Sequence, residues 1–320
     1  MIGSFLFGIS EANRSWKMIL LLLAANIMLS IPVVVPIFLL ITSTSRGTPA
    51  AARLMADKVD FVWLIDVVNQ RFPGAALETV ISQVAVTLVV AGVGSLLFNT
   101  LLSGGVIGVI NSTDGMFTAR KFWGEAGAHF WRFFRLTLIS LIFYGVAIGV
   151  YALLRLPIGK AAKEASAFGS EIYKRWAAMA LVALMLAFVN MVFDYAKIGT
   201  VVKDSKGMFR EVIRAFRFAF GNFFSAFGLY LVIALVGGAI FLALNHVRWS
   251  VNQSSGGGVL LAILLGQMAM AGRMWSRVFF YAAETHLYKK LATLTPAKKP
   301  ANVESQLEFA RAEEPGHLHT

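Results

Sequence analysis

Six stretches of this chain carry almost no charge, and the polar residues between them gather in short, mostly basic segments. An α-helix rises 1.5 Å per residue, so about 20 mainly apolar residues cross ~30 Å of hydrocarbon. Stretches of about that length or longer lie at residues 18–41, 75–110, 136–154, 176–198, 223–244 and 259–281. The pattern predicts an all-α protein, a polytopic transmembrane helical bundle of six spans forming one domain over residues 1–291. The second stretch exceeds one straight span, so a bend or an exit from the membrane is expected near Gly92–Gly94 or Ser103–Gly105. The first is too long for the apolar region of a signal peptide, follows Arg14 and Lys17, and contains Pro32 and Pro36. It reads as an uncleaved anchor. Residues 292–320, with Pro296, Lys298, Lys299, Pro300 and scattered Glu, read as a disordered cytoplasmic tail.

Two of the connecting segments share a layout. Gly115-Met116-Phe117 opens one and Gly207-Met208-Phe209 the other, each after a polar turn and before a Phe- and Arg-rich entry to the next span. In the second, Arg210, Arg214 and Arg217 recur at helical spacing, with Phe209, Val212, Phe216 and Phe220 on the other side. Such an amphipathic elbow lies in the headgroup plane, its cations near anionic phosphates. In the first, Arg132 and Arg135 sit among Phe130, Trp131, Phe133 and Phe134. These five arginines are the lipid-interface candidates, either as plain anchors or as binders of specific headgroups. The repeat is parallel. Residues 5–17 resemble the second half of such a unit and the sixth span the first half, which allows a circularly permuted ring of three hairpins. Residues 50–70, with Asp57, Asp60 and Asp66, read as a short helix on the outer surface.

Composition narrows the classes. Hydrophobic residues are 58% of the chain and charged residues 14%, against about 25% charged in a soluble domain. With no cysteine, disulfides, thiolate metal sites and cysteine nucleophiles are excluded. With the N-terminus inside, 19 Lys and Arg fall on the cytoplasmic side and 10 outside, although the third loop is itself basic. The bias places both termini in the cytoplasm. The net charge of +12 flanks the spans, which points to a membrane surface and not to nucleic acid.

Ionisable groups inside a membrane are costly and mark candidate sites. Asp194 has Asn190 one turn before it and Lys197 three residues after, while Arg273 and Arg277 share one face of the sixth span. Asp194 and Arg273 fall near the same interface, so a pair between them is expected. A salt bridge, an ion or proton pathway and partner binding all remain open. Asn26, Gln83, Asn99 and Gln267 read as interhelical hydrogen-bonding groups, and Gly104-x-x-x-Gly108 and Gly145-x-x-x-Gly149 as close-packing positions. The chain holds no HExxH, GxSxG or GxxxxGK[ST]. None of His129, His246, His286, His317 and His319 falls mid-span. No metal site, cofactor or enzymatic activity is expected.

Arg14-Ser15-Trp16-Lys17, residues 130–135, Phe193-Asp194-Tyr195-Ala196-Lys197, residues 210–220 and residues 284–291 together resemble bacterial six-span integral membrane families. Among these is the membrane domain associated with glycerophosphodiester phosphodiesterases. The resemblance covers about 290 residues and implies the fold and a bacterial cytoplasmic (inner) membrane, but no phosphodiesterase activity, because the soluble catalytic barrel is missing. The expected function is a non-enzymatic membrane component that binds or organises anionic lipid or a partner membrane protein. The alternative is a small-solute or lipid transporter using Asp194, Arg273 and Arg277.

Overall fold

A computed structural model describes residues 1–45, 74–112, 117–164, 168–252 and 255–294. The expected outer helix at 50–70, the tail, Gly115, Met116, His317 and His319 lie outside the described residues. Those described form eight helices and no strand: α1 Ile2–Arg14, α2 Trp16–Ser45, α3 Ala75–Asn111, α4 Ala119–Glu164, α5 Phe168–Val202, α6 Met208–Gly221, α7 Phe223–Ser250 and α8 Gly256–Leu294. Helices are what an apolar chain must form in lipid, where each backbone N–H and C=O needs an internal partner. Six of them, α2, α3, α4, α5, α7 and α8, are long and apolar enough to cross a membrane. The protein is a multi-pass membrane protein with the expected all-α bundle.

Several spans are far longer than a bilayer needs. The 39 residues of α8 extend to about 58 Å, nearly twice the hydrocarbon thickness. The surplus lies at one end, where the C-terminal halves of α3, α5 and α8 touch one another pairwise. Around this centre each is followed by an antiparallel partner: α4 on α3, α6 on α5, and α1 on α8. Neighbouring units then meet through α4 with α5, α7 with α8, and α2 with α3. The pairing is that of three hairpins in a ring, the third closed by the two ends of the chain.

Two elbows are bends in a continuing ladder. Ser15 N–H reaches Glu11 C=O at 3.0 Å and Ile19 N–H reaches Ser15 C=O at 3.1 Å, while Ser15 turns the path at φ −89°, ψ 28°. Asn222 repeats the device between α6 and α7, with φ −124°, ψ 33° and bonds of 3.0 and 2.9 Å on either side. The first copy departs from expectation. Residues 119–164 are one unbroken helix, so the arginines at 132 and 135 sit on the shaft of a span and not on a separate elbow. Asn13-Arg14-Ser15 and Gly221-Asn222 supply turn formers at the two bends; Arg132-Phe133-Phe134-Arg135 supplies none.

The second stretch stays one helix, with α3 running through all its glycines without a break. Those near its C-terminus serve close approach instead. A Cβ on Gly105 would lie 2.7 Å from the Phe122 ring, and one on Gly108 would lie 2.5 Å from Glu125 Cβ. Gly104 packs on Ala126, whereas Gly145 and Gly149 have nothing within 4 Å. Of the two small-residue motifs, only the first is a packing face.

Candidate functional site

Where the helices diverge from the packed centre, their polar residues converge on a cavity of about 600 Å³. Helical spacing selects the lining. Asn190, Asp194 and Lys197 stand at i, i+4 and i+7 on α5, and Arg273, Ser276, Arg277 and Phe280 share one stripe of α8. Asn26 of α2, Asn99 of α3 and Tyr230 of α7 complete the polar wall, with Met270, Met274 and Tyr281 beside them.

Hydrogen bonds fix most of these groups. Asn190 accepts from the Tyr144 hydroxyl at 3.0 Å and donates to the Tyr230 oxygen at 2.8 Å, tying α4, α5 and α7 together. Arg277 donates to the Asn99 side-chain oxygen at 2.6 Å and to its backbone carbonyl at 2.9 Å. Asn26 donates to the Leu22 carbonyl at 2.8 Å and approaches the Met274 sulfur at 3.3 Å. Gln83 and Gln267, expected in the same role, are exposed.

The expected Asp194–Arg273 pair does not form. Lys197 donates to Asp194 at 3.0 Å, because a partner three residues along the same helix needs no second helix to bring it into range. Arg273 reaches the same cavity but has no ion-pair or hydrogen-bond partner among the described residues. The cavity therefore presents three cations to one carboxylate, and that carboxylate is already engaged.

A second, smaller cavity of about 280 Å³ lies between α7 and α8. Its wall of Ala234, Gly237, Gly238 and Phe241 is apolar, and it shares Arg273, Ser276 and Phe280 with the first. A Cβ on Gly237 would come within 2.7 Å of Ser276 Oγ, while Gly238 faces open space. A polar chamber thus adjoins an apolar cleft, with the Arg273 guanidinium, free among the described residues, in the wall of both.

No protein-family model, curated protein or solved structure matches this chain.

The lipid-interface candidates divide. Arg210, Arg214 and Arg217 are all exposed on α6 as the spacing predicted. Met208, Glu211, Val212, Ala215 and Ala219 are buried against the bundle, so Val212 leaves the expected apolar face, while Phe209 and Phe220 are exposed. Small residues are buried there because α6 packs closely on α5, and the larger rings are left to the surface beside the arginines. Arg214 pairs with buried Glu211 at 3.1 Å, and Arg132 pairs with Asp204. Arg135 is exposed.

Three further residues matter at the packed end: Glu211, which the sequence pattern does not mark, and Glu284 and His286, which it marks only as polar groups following the sixth span towards the cytoplasm. Glu211 and Glu284 are fully buried, although each looks like an ordinary solvated charge in its segment. Among the described residues, neither oxygen of Glu284 has a hydrogen-bond partner, nor does the Tyr195 hydroxyl. His286 bonds Ser4 Oγ at 3.0 Å and stacks on Phe7, which docks α1 on α8.

Proposed function

We propose that the protein is a non-enzymatic membrane component that binds an anionic membrane lipid, with the headgroup in the polar cavity and a chain in the apolar cleft. The observation that carries this reading is that the two cavities share Arg273, Ser276 and Phe280 in their walls. A free solute needs only the polar chamber, whereas an amphiphile fills both. Guanidinium groups suit a phosphate because their planar fork donates two parallel hydrogen bonds. Arg273 is free to do so, and Arg277 is held in place by Asn99.

Purification from native membranes in mild detergent, followed by quantification of retained phospholipid by class, tests the reading. Anionic lipid should be enriched over the bulk membrane. Arg273→Gln should lower the retained anionic lipid about tenfold, the loss of one charge-assisted hydrogen bond. Gly238→Phe should lower it by filling the cleft. Retention unchanged in both variants would overturn the assignment.

Transport is the second reading, favoured by a polar chamber inside a spanning bundle. Protein-dependent movement of labelled anionic lipid between leaflets of a liposome, abolished by Arg273→Gln, would select it over static binding. The orientation, with both termini in the cytoplasm of a bacterial inner membrane, belongs to the same proposal. A cytoplasm-only reporter fused to the C-terminus should be active.

A further inference from the structure

At the packed end, several cations near the α5–α6 turn are matched by an acid. Arg132 meets Asp204, Lys197 meets Asp194 and Arg214 meets Glu211. Among those that are not, three stand together. Arg135, Lys206 and Arg210 are exposed and form no ion pair or hydrogen bond among the described residues. They line one groove of about 810 Å³ between α4 and the start of α6, and no carboxylate lies among its lining residues.

The rest of the lining is apolar or backbone: Leu138, Ile139, Met208, Phe209 and Gly207. Leu138 and Phe209 are exposed, Phe209 by 70%. Cations together with exposed aliphatic and aromatic groups form the two halves of a lipid contact. The groove also opens at the first turn of α6, where the preceding residue, Gly207, offers no side-chain cap. Backbone N–H groups there reinforce the attraction for an anion.

We propose that this groove is a second lipid site, which holds the phosphate of one anionic phospholipid between Arg135, Lys206 and Arg210, with an acyl chain along Leu138 and Phe209. It shares no residue with the central cavity, so either site can fail without the other. Its position between α4 and α6 makes the bound lipid a bridge between two of the three hairpins.

The full chain, reconstituted in phosphatidylcholine nanodiscs, is labelled with a small fraction of photoreactive phosphatidylglycerol or, in parallel, photoreactive phosphatidylcholine. Cross-links are then mapped by peptide mass spectrometry. Phosphatidylglycerol should label residues 135–139 and 206–210 well above phosphatidylcholine. Each of Arg135→Gln, Lys206→Gln and Arg210→Gln should lower that labelling about fivefold, the effect of one basic residue near a charged surface. Arg217→Gln, on the same helix but outside the groove, should leave it unchanged, which separates loss of the site from loss of the fold. Equal labelling by the two lipids, or labelling indifferent to the three substitutions, overturns the proposal. Competition by inorganic phosphate would assign the groove to a soluble anion and overturn it as a lipid site.

Discussion

The two ends of the spanning helices obey different rules. The most apolar eighteen-residue window of α3 contains no buried residue, while residues 102–109 of the same helix are buried without interruption. In the first region Val, Leu, Ile and Ala predominate, with Gly92, Gly94 and a few polar residues among them; in the second, Ser103, Gly104, Gly105 and Gly108 alternate with Val106, Ile107 and Val109. Lipid is as apolar as leucine, so apolar residues alone give helices no reason to associate. Association needs small residues that let backbones approach, and polar groups that find partners across the gap. The packed end has both. At the splayed end such residues are present, but Gly92, Gly94, Gly145 and Gly149 meet no neighbour among the described residues; the surface there is left to lipid, and the cavity forms where one regime passes into the other.

The largest effect should come from the charge pair at that boundary. Asp194 and Lys197 are largely buried, and Asp194→Asn leaves the ammonium without its partner. Stability should fall by about 3 kcal/mol, because an uncompensated buried charge costs more than the pair contributes. Adding Lys197→Met to that variant should recover most of the loss. Unfolding in detergent micelles measures both. A double variant as unstable as the single one would show that the pair is not what fails.

Close approach should come next. A Cβ on Gly8 would lie 2.7 Å from Ala283 Cβ and within 3 Å of Phe279. Gly8→Leu should therefore cost about 2 kcal/mol of overpacking and release α1 from α8. Gly94→Leu, where nothing lies within 4 Å, should change stability by less than about 0.5 kcal/mol. Comparable losses in the two would erase the distinction between the ends.

Hydrogen bonding at the cavity wall should weigh less. Asn190→Leu removes the bonds to Tyr144 and Tyr230, and interhelical bonds in membranes average below ~1 kcal/mol each. A total loss of about 1 kcal/mol is expected in the same unfolding measurement. A larger loss than for Asp194→Asn would mean that the aromatic hydroxyls, and not the charge pair, hold this boundary.

How far the sequence foretold these features depends on the range of each interaction. The spans were legible because length and apolarity suffice to define them. Asn190, Asp194 and Lys197 were legible as a group because helical spacing puts them on one face. The Arg277–Asn99 bond links residues 178 apart, and nothing local announces it. Glu284 stands in Glu284-Thr285-His286-Leu287-Tyr288-Lys289-Lys290, a segment that reads as solvated. It is buried only because α3, α5 and α8 converge around it. The Asp194–Arg273 expectation failed for a related reason. Proximity in depth was inferred correctly, but a nearer lysine on the same helix had already taken the carboxylate. The unbroken α4 was readable: a basic aromatic segment without a turn former has no cause to bend.

The smallest effect should come from Asp204, at the exposed margin of the packed end. α5 closes there in a left-handed turn: Asp204 has φ 44°, Ser205 N–H reaches Thr200 C=O at 3.1 Å and Asp204 N–H reaches Val201 C=O at 3.5 Å. The turn carries the carboxylate to Arg132 on α4. The hydrogen bond from that guanidinium, and then its charge, hold the Asp204 carboxyl below the usual aspartate range. A depressed folded-state value means the contact stabilises fully above the unfolded value near ~3.9. Its contribution disappears as pH falls through the lower folded value. Asp204→Asn removes the charge while keeping a residue that tolerates the left-handed region. The variant should unfold slightly more readily than the parent at neutral pH and low salt. The difference should shrink in high salt, where exposed charges are screened, and vanish in acid. A difference that persists in acid and salt would place the role of Asp204 in the turn itself and leave the α4–α5 junction without an electrostatic tie.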